Sequence, residues 1–352
     1  MIIFDAHEDI AVNALYSGRD VRQSALETRR VEFGSDTARD DGLCMVGLPE
    51  WLSGRISVIF GTIFAPPASR SNRTPYSYTS AQEAHELGIG QLEFYHRLAD
   101  ETEQVGLVQD QADLASVISS WDHAQPRVGI VLLMEGADPI REPAELEMWV
   151  ERGVRIVGLS WGSGSRYAGG NDVPGLLTDE GRGLLEVMAD MGVTLDVSHL
   201  AEQAFDEALD RFEGRVIASH ANPRAFVPSA RMLSDRMITR LIEQDAVIGI
   251  VPYNAFLQKG WTRGDAKEAV TVADVAAAID HVCQLAGDAT HVGLGSDFDG
   301  GFGAESTPVE IDTVADLQRV GTALTDRGYA EGDVEAILSG NWKRLLKETL
   351  PG

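Results

Sequence analysis

Cysteine is nearly absent: 352 residues contain only Cys44 and Cys283, with no Cys-x-x-Cys spacing. That excludes a disulfide framework and a cysteine-built metal knuckle. Lysine is almost as scarce. Lys259, Lys267, Lys343 and Lys347 are the whole complement, and every other basic residue is arginine. No run approaches the ~18–20 unbroken apolar residues of a membrane span. Positive charge is also in deficit: the net charge is −26 and the pI about 4.6. A surface of that sign repels phosphate backbones and anionic headgroups, so neither nucleic acid nor a membrane surface is an expected partner. The start, Met1-Ile2-Ile3-Phe4-Asp5, lacks the basic and long apolar regions of a secretory leader, and the expected compartment is the cytoplasm.

What is present is a rhythm. Apolar, β-branched runs at Ile2–Asp5, Ile56–Phe64, Val128–Met134, Val154–Leu159, Val193–Val197, Val216–Ser219, Ala246–Val251 and His291–Ser296 read as strands. Helical patterns separate several of them, as at Ala81–Ala99, Asp179–Met191, Ala201–Phe212 and Val272–Leu285. Strands without in/out polar alternation, spaced by helices, imply a parallel sheet covered by helices. About eight over most of the chain predict a (β/α)8 TIM-like barrel spanning residues 1–352 as one domain. The dinucleotide-binding alternative lacks its Gly-x-Gly-x-x-Gly after the first strand. Pro66–Ser80 and Gly162–Pro174 read as loops over a barrel mouth; the second lacks the Lys-Ser/Thr ending of a phosphate loop. Glu331–Leu350 reads as a closing amphipathic helix.

In such a barrel the chemistry gathers where strands end. The first apolar run delivers His7 and Asp9, two apart and so able to converge. Others deliver Glu135, His199, His220 and Asp297. Any one of these is ordinary taken singly; five strand ends together describe a site for a metal with open positions. His85, His96, His123, His281 and His291 lie elsewhere in the pattern and read as structural or solvated. His7, Asp9, His199 and His220 exceed the three protein ligands usual at one catalytic zinc, which suggests two ions. A carboxylate can bridge metals ~3.5–4 Å apart. A carboxylated lysine cannot serve here, because no lysine precedes residue 259, which leaves Glu135 as the bridge.

The segments DAHED (5–9), LLMEG (132–136), LDVSH (195–199), SHANPRA (219–225) and GSDFDG (295–300) resemble, in order and approximate spacing, the membrane (renal) dipeptidase family, peptidase family M19 of the amidohydrolase superfamily. The opening His-x-Asp is specific, since most amidohydrolases begin with His-x-His. The resemblance implies a zinc-dependent dipeptidase with two Zn²⁺ per chain. His7, Asp9 and Glu135 would hold one ion, and Glu135, His199 and His220 the other. A metal-bridging hydroxide would attack the scissile amide of a free dipeptide, L-Xaa-D-Xaa included, with Asp297 handling the proton. Arg231 would hold the terminal carboxylate, and Tyr253 would face the substrate. Small dipeptides are the implied partners, and a homo-oligomer is compatible with the sequence. Where the family usually reads Asp-Gly-His-Asn-Asp, this chain has Ala6 and Glu8. Trp161 stands where mammalian members have a histidine that contacts the scissile group; bacterial relatives often have a tryptophan there, and altered substrate handling is expected. Another binuclear amidohydrolase, such as an N-acyl-amino-acid hydrolase, is the alternative, and a catalytically silent relative is a third reading.

Overall fold

The structure is a computed structural model that describes residues 1–68 and 74–352. Among the described residues nine strands run β1 (Ile3–Glu8), β2 (Ile56–Phe64), β3 (Val105–Leu107), β4 (Val128–Glu135), β5 (Val154–Gly158), β6 (Thr194–Asp196), β7 (Val216–Ala218), β8 (Val247–Ile250) and β9 (Val292–Leu294). Eight of them close a parallel barrel in the order β2-β1-β9-β8-β7-β6-β5-β4, sealed by pairing of β4 back onto β2 from Val58↔Gly129 to Phe64↔Glu135. This is the (β/α)8 architecture that the alternation of runs predicts, with helices such as Ala81–Glu101, Asp179–Asp190, Glu202–Arg211 and Val272–Ala286 between strands.

Period-two geometry sorts the apolar side chains into two shells. Phe4, Ala6, Val58, Phe60, Val131, Leu133, Ile156, Ile217 and Val247 form one buried cluster inside the barrel. Their neighbours Ile3, Ile59, Ile130, Leu132, Val157 and Ile248 belong to the other, packed with the helices. Both faces of each strand are buried, which is why the runs do not alternate in polarity. The expected closing helix runs from Glu331 to Thr349 with a π-type turn at Ala336–Gly340. Its Trp342, Leu345 and Leu346 join the interior cluster, and Asn341 Nδ2 donates to the carbonyls of Ala289 and Val292. It therefore plugs the mouth at which the strands begin.

Two departures from the expected strands bear on the site. β1 continues past Asp5 to Glu8, which still pairs with Gly61 after a register shift, and within that irregular stretch the His7 carbonyl accepts the Asp297 N–H at 3.0 Å. β3 was not expected: three residues carry no periodicity. It pairs with β4 only from Val105↔Val128 to Leu107↔Ile130, filling the edge before β5 joins at Leu132. Gly162–Pro174 is a loop pinned by bridges of Ala168 to Leu177 and Gly170 to Leu200. Of the expected loop Pro66–Ser80, residues 69–73 lie outside the described residues. Among the described residues no helix is long and apolar enough to cross a membrane.

Candidate metal centre

The polar residues that end the strands meet at one mouth of the barrel. His7 comes from β1, and Asp9 follows it at once. Their side chains converge, with His7 Nε2 3.9 Å from Asp9 Oδ2. Glu135 ends β4. Its Oε2 lies 3.6 Å from His7 Nε2, while its Oε1 lies 3.2 Å from His199 Nε2 and 3.4 Å from His220 Nε2. Three groups of potential donors, each within 4.8 Å of one another, overlap here: His7/Asp9/Glu135, Glu135/His199/His220 and His7/His220/Asp297. The first two are the sets implied by the sequence resemblance. The third brings Asp297 Oδ1 to 3.8 Å from His7 Nε2. His199 and Asp297 both take left-handed backbone conformations, φ 66° and 59°, which are uncommon for residues with a Cβ. That turn redirects each side chain from the strand direction into the cup.

Burial and charge shape the cup's chemistry. Burial opposes a charge on His7, but Glu135, Asp9 and Asp297 outweigh it and push its pKa up to about 10. Burial, with Arg231 adding to it, pushes His199 down to about 4. Burial, His7 and Arg231 hold His220 well below the ordinary imidazole value. Burial would raise Glu135, yet His7, His199 and His220 keep it well below the usual carboxylate range. Asp9 is raised to about 6, by burial first and, against the pull of His7, by Glu135. Burial, with Asp9 and Glu135 beside it, raises Asp297 well above that range, against His7 and Arg231.

These residues fit divalent cations. Among the described residues His7 Nε2, which is buried, has no hydrogen-bond partner. The Nε2 atoms of His199 and His220 face each other at 2.9 Å. Two imidazole lone pairs at that distance repel unless a proton or a cation lies against them. Neutral imidazoles and carboxylates with room for water and substrate are the donor set that suits Zn²⁺.

The wall of the cavity, about 420 Å³, includes Asp9, Glu135, Trp161, His199, Arg231, Tyr253 and Asp297. Arg231 Nη2 donates to the His220 carbonyl at 2.6 Å, and its buried Nη1 has no partner among the described residues. The guanidinium lies over Phe256, 5.5 Å from the ring centroid. Tyr253 stacks on Phe302 at 4.3 Å. Trp161 packs edge-on against Phe64 at 5.4 Å and lies 5.9 Å from the His199 ring. Glu8 sits apart from this wall: its Oε2 accepts from Trp51 Nε1 at 2.9 Å.

Sequence reasoning missed the residues that hold the candidate ligands. Thr62 Oγ1 donates to Asp9 Oδ1 at 2.6 Å, and its only signal is a hydroxyl inside an apolar strand. Asn171 Oδ1 lies 3.0 Å from His199 Nδ1, delivered by the Gly162–Pro174 loop with no local signal at all. Among the other histidines, His85 and His96 contact the carbonyls of Pro139 and Arg152, His281 pairs with Asp235, and His291 contacts the Ala246 carbonyl.

Comparison with known proteins agrees in kind. The sequence model of a family described as membrane dipeptidase (peptidase family M19) matches residues 1–350. Dipeptidase aclJ of Aspergillus oryzae is 26% identical over 350 residues, 97% of this chain and 76% of that protein. A crystal structure described as the dipeptidase AC, a metallo peptidase of family M19, superposes with a TM-score of 0.81 at 24% identity, covering 100% of this chain and 99% of that one. A metallo peptidase from Rhodobacter sphaeroides, solved with a phosphinate mimic of the dipeptide L-Ala-D-Ala, gives 0.80 at 23% identity, covering 99% of each chain.

Proposed function

The chain belongs to the membrane dipeptidase family, peptidase family M19, and is a metallo-dipeptidase; we propose that it hydrolyses free dipeptides, L-Xaa-D-Xaa among them, with two Zn²⁺ held by His7, Asp9, Glu135, His199 and His220. The observation that carries this reading is the division of Glu135. One oxygen lies beside His7 and the other beside His199 and His220, as a carboxylate shared between two cation sites requires. When bound, the ions supply an activated water nucleophile at neutral pH and Lewis acidity toward the scissile carbonyl.

The rest falls to the chain's own side chains. Asp297, next to His7 and raised in pKa by burial and its acidic neighbours, accepts the nucleophile's proton at Oδ1 and returns it to the leaving amine. Arg231 has donors left on Nη1 with which to take the substrate's terminal carboxylate. Its fixed fork suits two carboxylate oxygens, so the site measures out dipeptides. Tyr253 and Trp161 both line the cavity and bound the substrate. An N-acyl-amino-acid hydrolase would use the same donors, but the family match favours the dipeptide.

The test is a panel of L-Xaa-L-Xaa and L-Xaa-D-Xaa dipeptides, each free and N-acetylated, assayed with Zn²⁺ present. The L,D series comes first, since the Rhodobacter protein of the same fold was solved with an L,D mimic. Free dipeptides are expected to turn over and their N-acetyl forms much less. Preference for the acetylated series would overturn the reading.

A further inference from the structure

We propose that Ser219, backed by Asp196, is a positioning residue common to both halves of the metal centre, its one hydroxyl fixing the tautomer of a histidine from each. Ser219 Oγ lies 2.5 Å from Asp196 Oδ2, 2.7 Å from His220 Nδ1 and 3.3 Å from His7 Nδ1. Asp196, Ser219, His220 and His7 are all buried, so no solvent competes for these contacts.

A hydroxyl has one hydrogen and two lone pairs. Asp196 Oδ1 accepts the backbone N–H groups of Ser198 and Ser219 at 3.0 and 2.9 Å, which makes the side chain an acceptor held in one orientation. The serine hydrogen therefore goes to Asp196 Oδ2. Both serine lone pairs are left facing imidazole nitrogens, and each of those nitrogens must donate. His7 and His220 accordingly keep their hydrogen on Nδ1, so that Nε2 is the nitrogen each ring offers to an ion in the cup, His7 giving up its second proton when the ion binds. Ser198 Oγ accepts the His220 backbone N–H and, at 3.4 Å, is more distant from Ser219 Oγ than Asp196 or either imidazole. His199 is oriented separately. Asn171 Nδ2 donates to Asp172 Oδ1 at 2.8 Å, so Asn171 Oδ1 is the atom that faces His199 Nδ1.

This inference rests on the two-ion reading and divides it unequally: Asn171 serves one ion, Ser219 serves both. Partners of ligating histidines commonly contribute 10–100-fold in metal affinity. The experiment is competition of wild type, Ser219→Ala and Asn171→Ala against a chelator with Zn²⁺ alone, reading stoichiometry and both dissociation constants, with the melting temperature of each metal-free protein measured alongside. Ser219→Ala is expected to weaken both ions by about 10–100-fold, and Asn171→Ala only one. Asp196→Asn presents an amide N–H to Ser219 Oγ and turns the hydroxyl hydrogen onto one imidazole Nδ1. That ring's Nε2 must then carry the hydrogen, and the variant is expected to hold one ion where wild type holds two. Ser219→Ala binding both ions as wild type does, or losing only one, overturns the proposal, even if its melting temperature falls. Should Ser219→Ala not fold, two ions at wild-type affinity in Asp196→Asn overturns it. Wild type without zinc defeats the two-ion reading as well; wild type with two ions and unaffected variants defeats this inference alone.

Discussion

Asp297 and Asp299 leave β9 two residues apart, both in the left-handed conformation with φ 59° and 62°, and their carboxylates keep different company. Asp297 Oδ1 lies 3.8 Å from His7 Nε2. Asp299 accepts the backbone N–H groups of Met45 and Val46 at 2.8 and 3.3 Å and pairs with Arg19 at 3.5 Å. One faces the reacting space, and the other ties the segment after Gly42 to the barrel. Gly300 follows from the same crowding: a Cβ there would come within 2.5 Å of Asp297 Oδ1 and 2.7 Å of Asp9 Oδ2.

Asp297→Asn keeps the shape and removes proton transfer, so kcat is expected to fall by a factor of about 10²–10⁴ while zinc content stays near two per chain. Asp299→Asn is expected to lower the melting temperature with a much smaller loss of kcat. Steady-state kinetics and thermal melts on the pair decide it, and the reverse assignment would follow if Asp299→Asn alone suffered the large loss.

Arg231→Met separates carboxylate reading from general amidase activity. A hydrogen bond to a charged group contributes roughly 1.5–3 kcal/mol, or about 10–150-fold. That factor, or more, is the expected loss in kcat/KM for free dipeptides. Dipeptide amides offer no carboxylate and should be poor substrates already, losing little more. Equal loss on both substrates means that Arg231 does not read the carboxylate.

Chelation should abolish activity while the far-ultraviolet circular dichroism of the barrel persists, because the apolar shells inside and outside the strands hold the fold without the metal. Glu135→Gln should bind fewer than two Zn²⁺ by elemental analysis, since a neutral amide is a poor bridge. Full activity in protein free of divalent metal would sink the mechanism.

His7 sets a pH dependence. Its pKa of about 10 in the metal-free protein lies above the ~6.5 of an unfolded histidine. The folded state therefore holds the extra proton, and the resulting stabilisation is complete below the unfolded value and lost as pH rises through about 10. The melting temperature of the metal-free protein should fall between pH 7 and 10 more steeply than that of the zinc-loaded protein. Metal needs the bare Nε2, so zinc loading at pH 8 should release at least one proton per chain. Indicator dye in weak buffer reads this directly, and loading without proton release contradicts the role of His7.

The barrel and the residues that make the cup were legible because both are written at short range. Eight β-branched runs declare parallel strands, and polar residues cluster where five of them must end, which is how His7, Asp9, Glu135, His199, His220 and Asp297 could be picked out together. The resemblance of DAHED, LLMEG, LDVSH, SHANPRA and GSDFDG supplied Arg231, Tyr253 and the roles, none of which periodicity contains. β3 stayed invisible because three residues make no pattern; only the exposed edge at the start of β4 gives it a reason to pair. Tertiary structure alone decided what Asp299 does: it has the residue type and backbone conformation of Asp297, yet its carboxylate turns to Met45, Val46 and Arg19. It also decided the hydrogen-bond partners: Thr62 on Asp9, Asn171 on His199, and Ser219 between His7 and His220. Strand ends lie on a circle when the barrel closes, and residues 212 positions apart become neighbours through that closure. A one-dimensional reading finds the candidate ligands at the ends of their strands, but what stands behind each of them depends on which strands become neighbours.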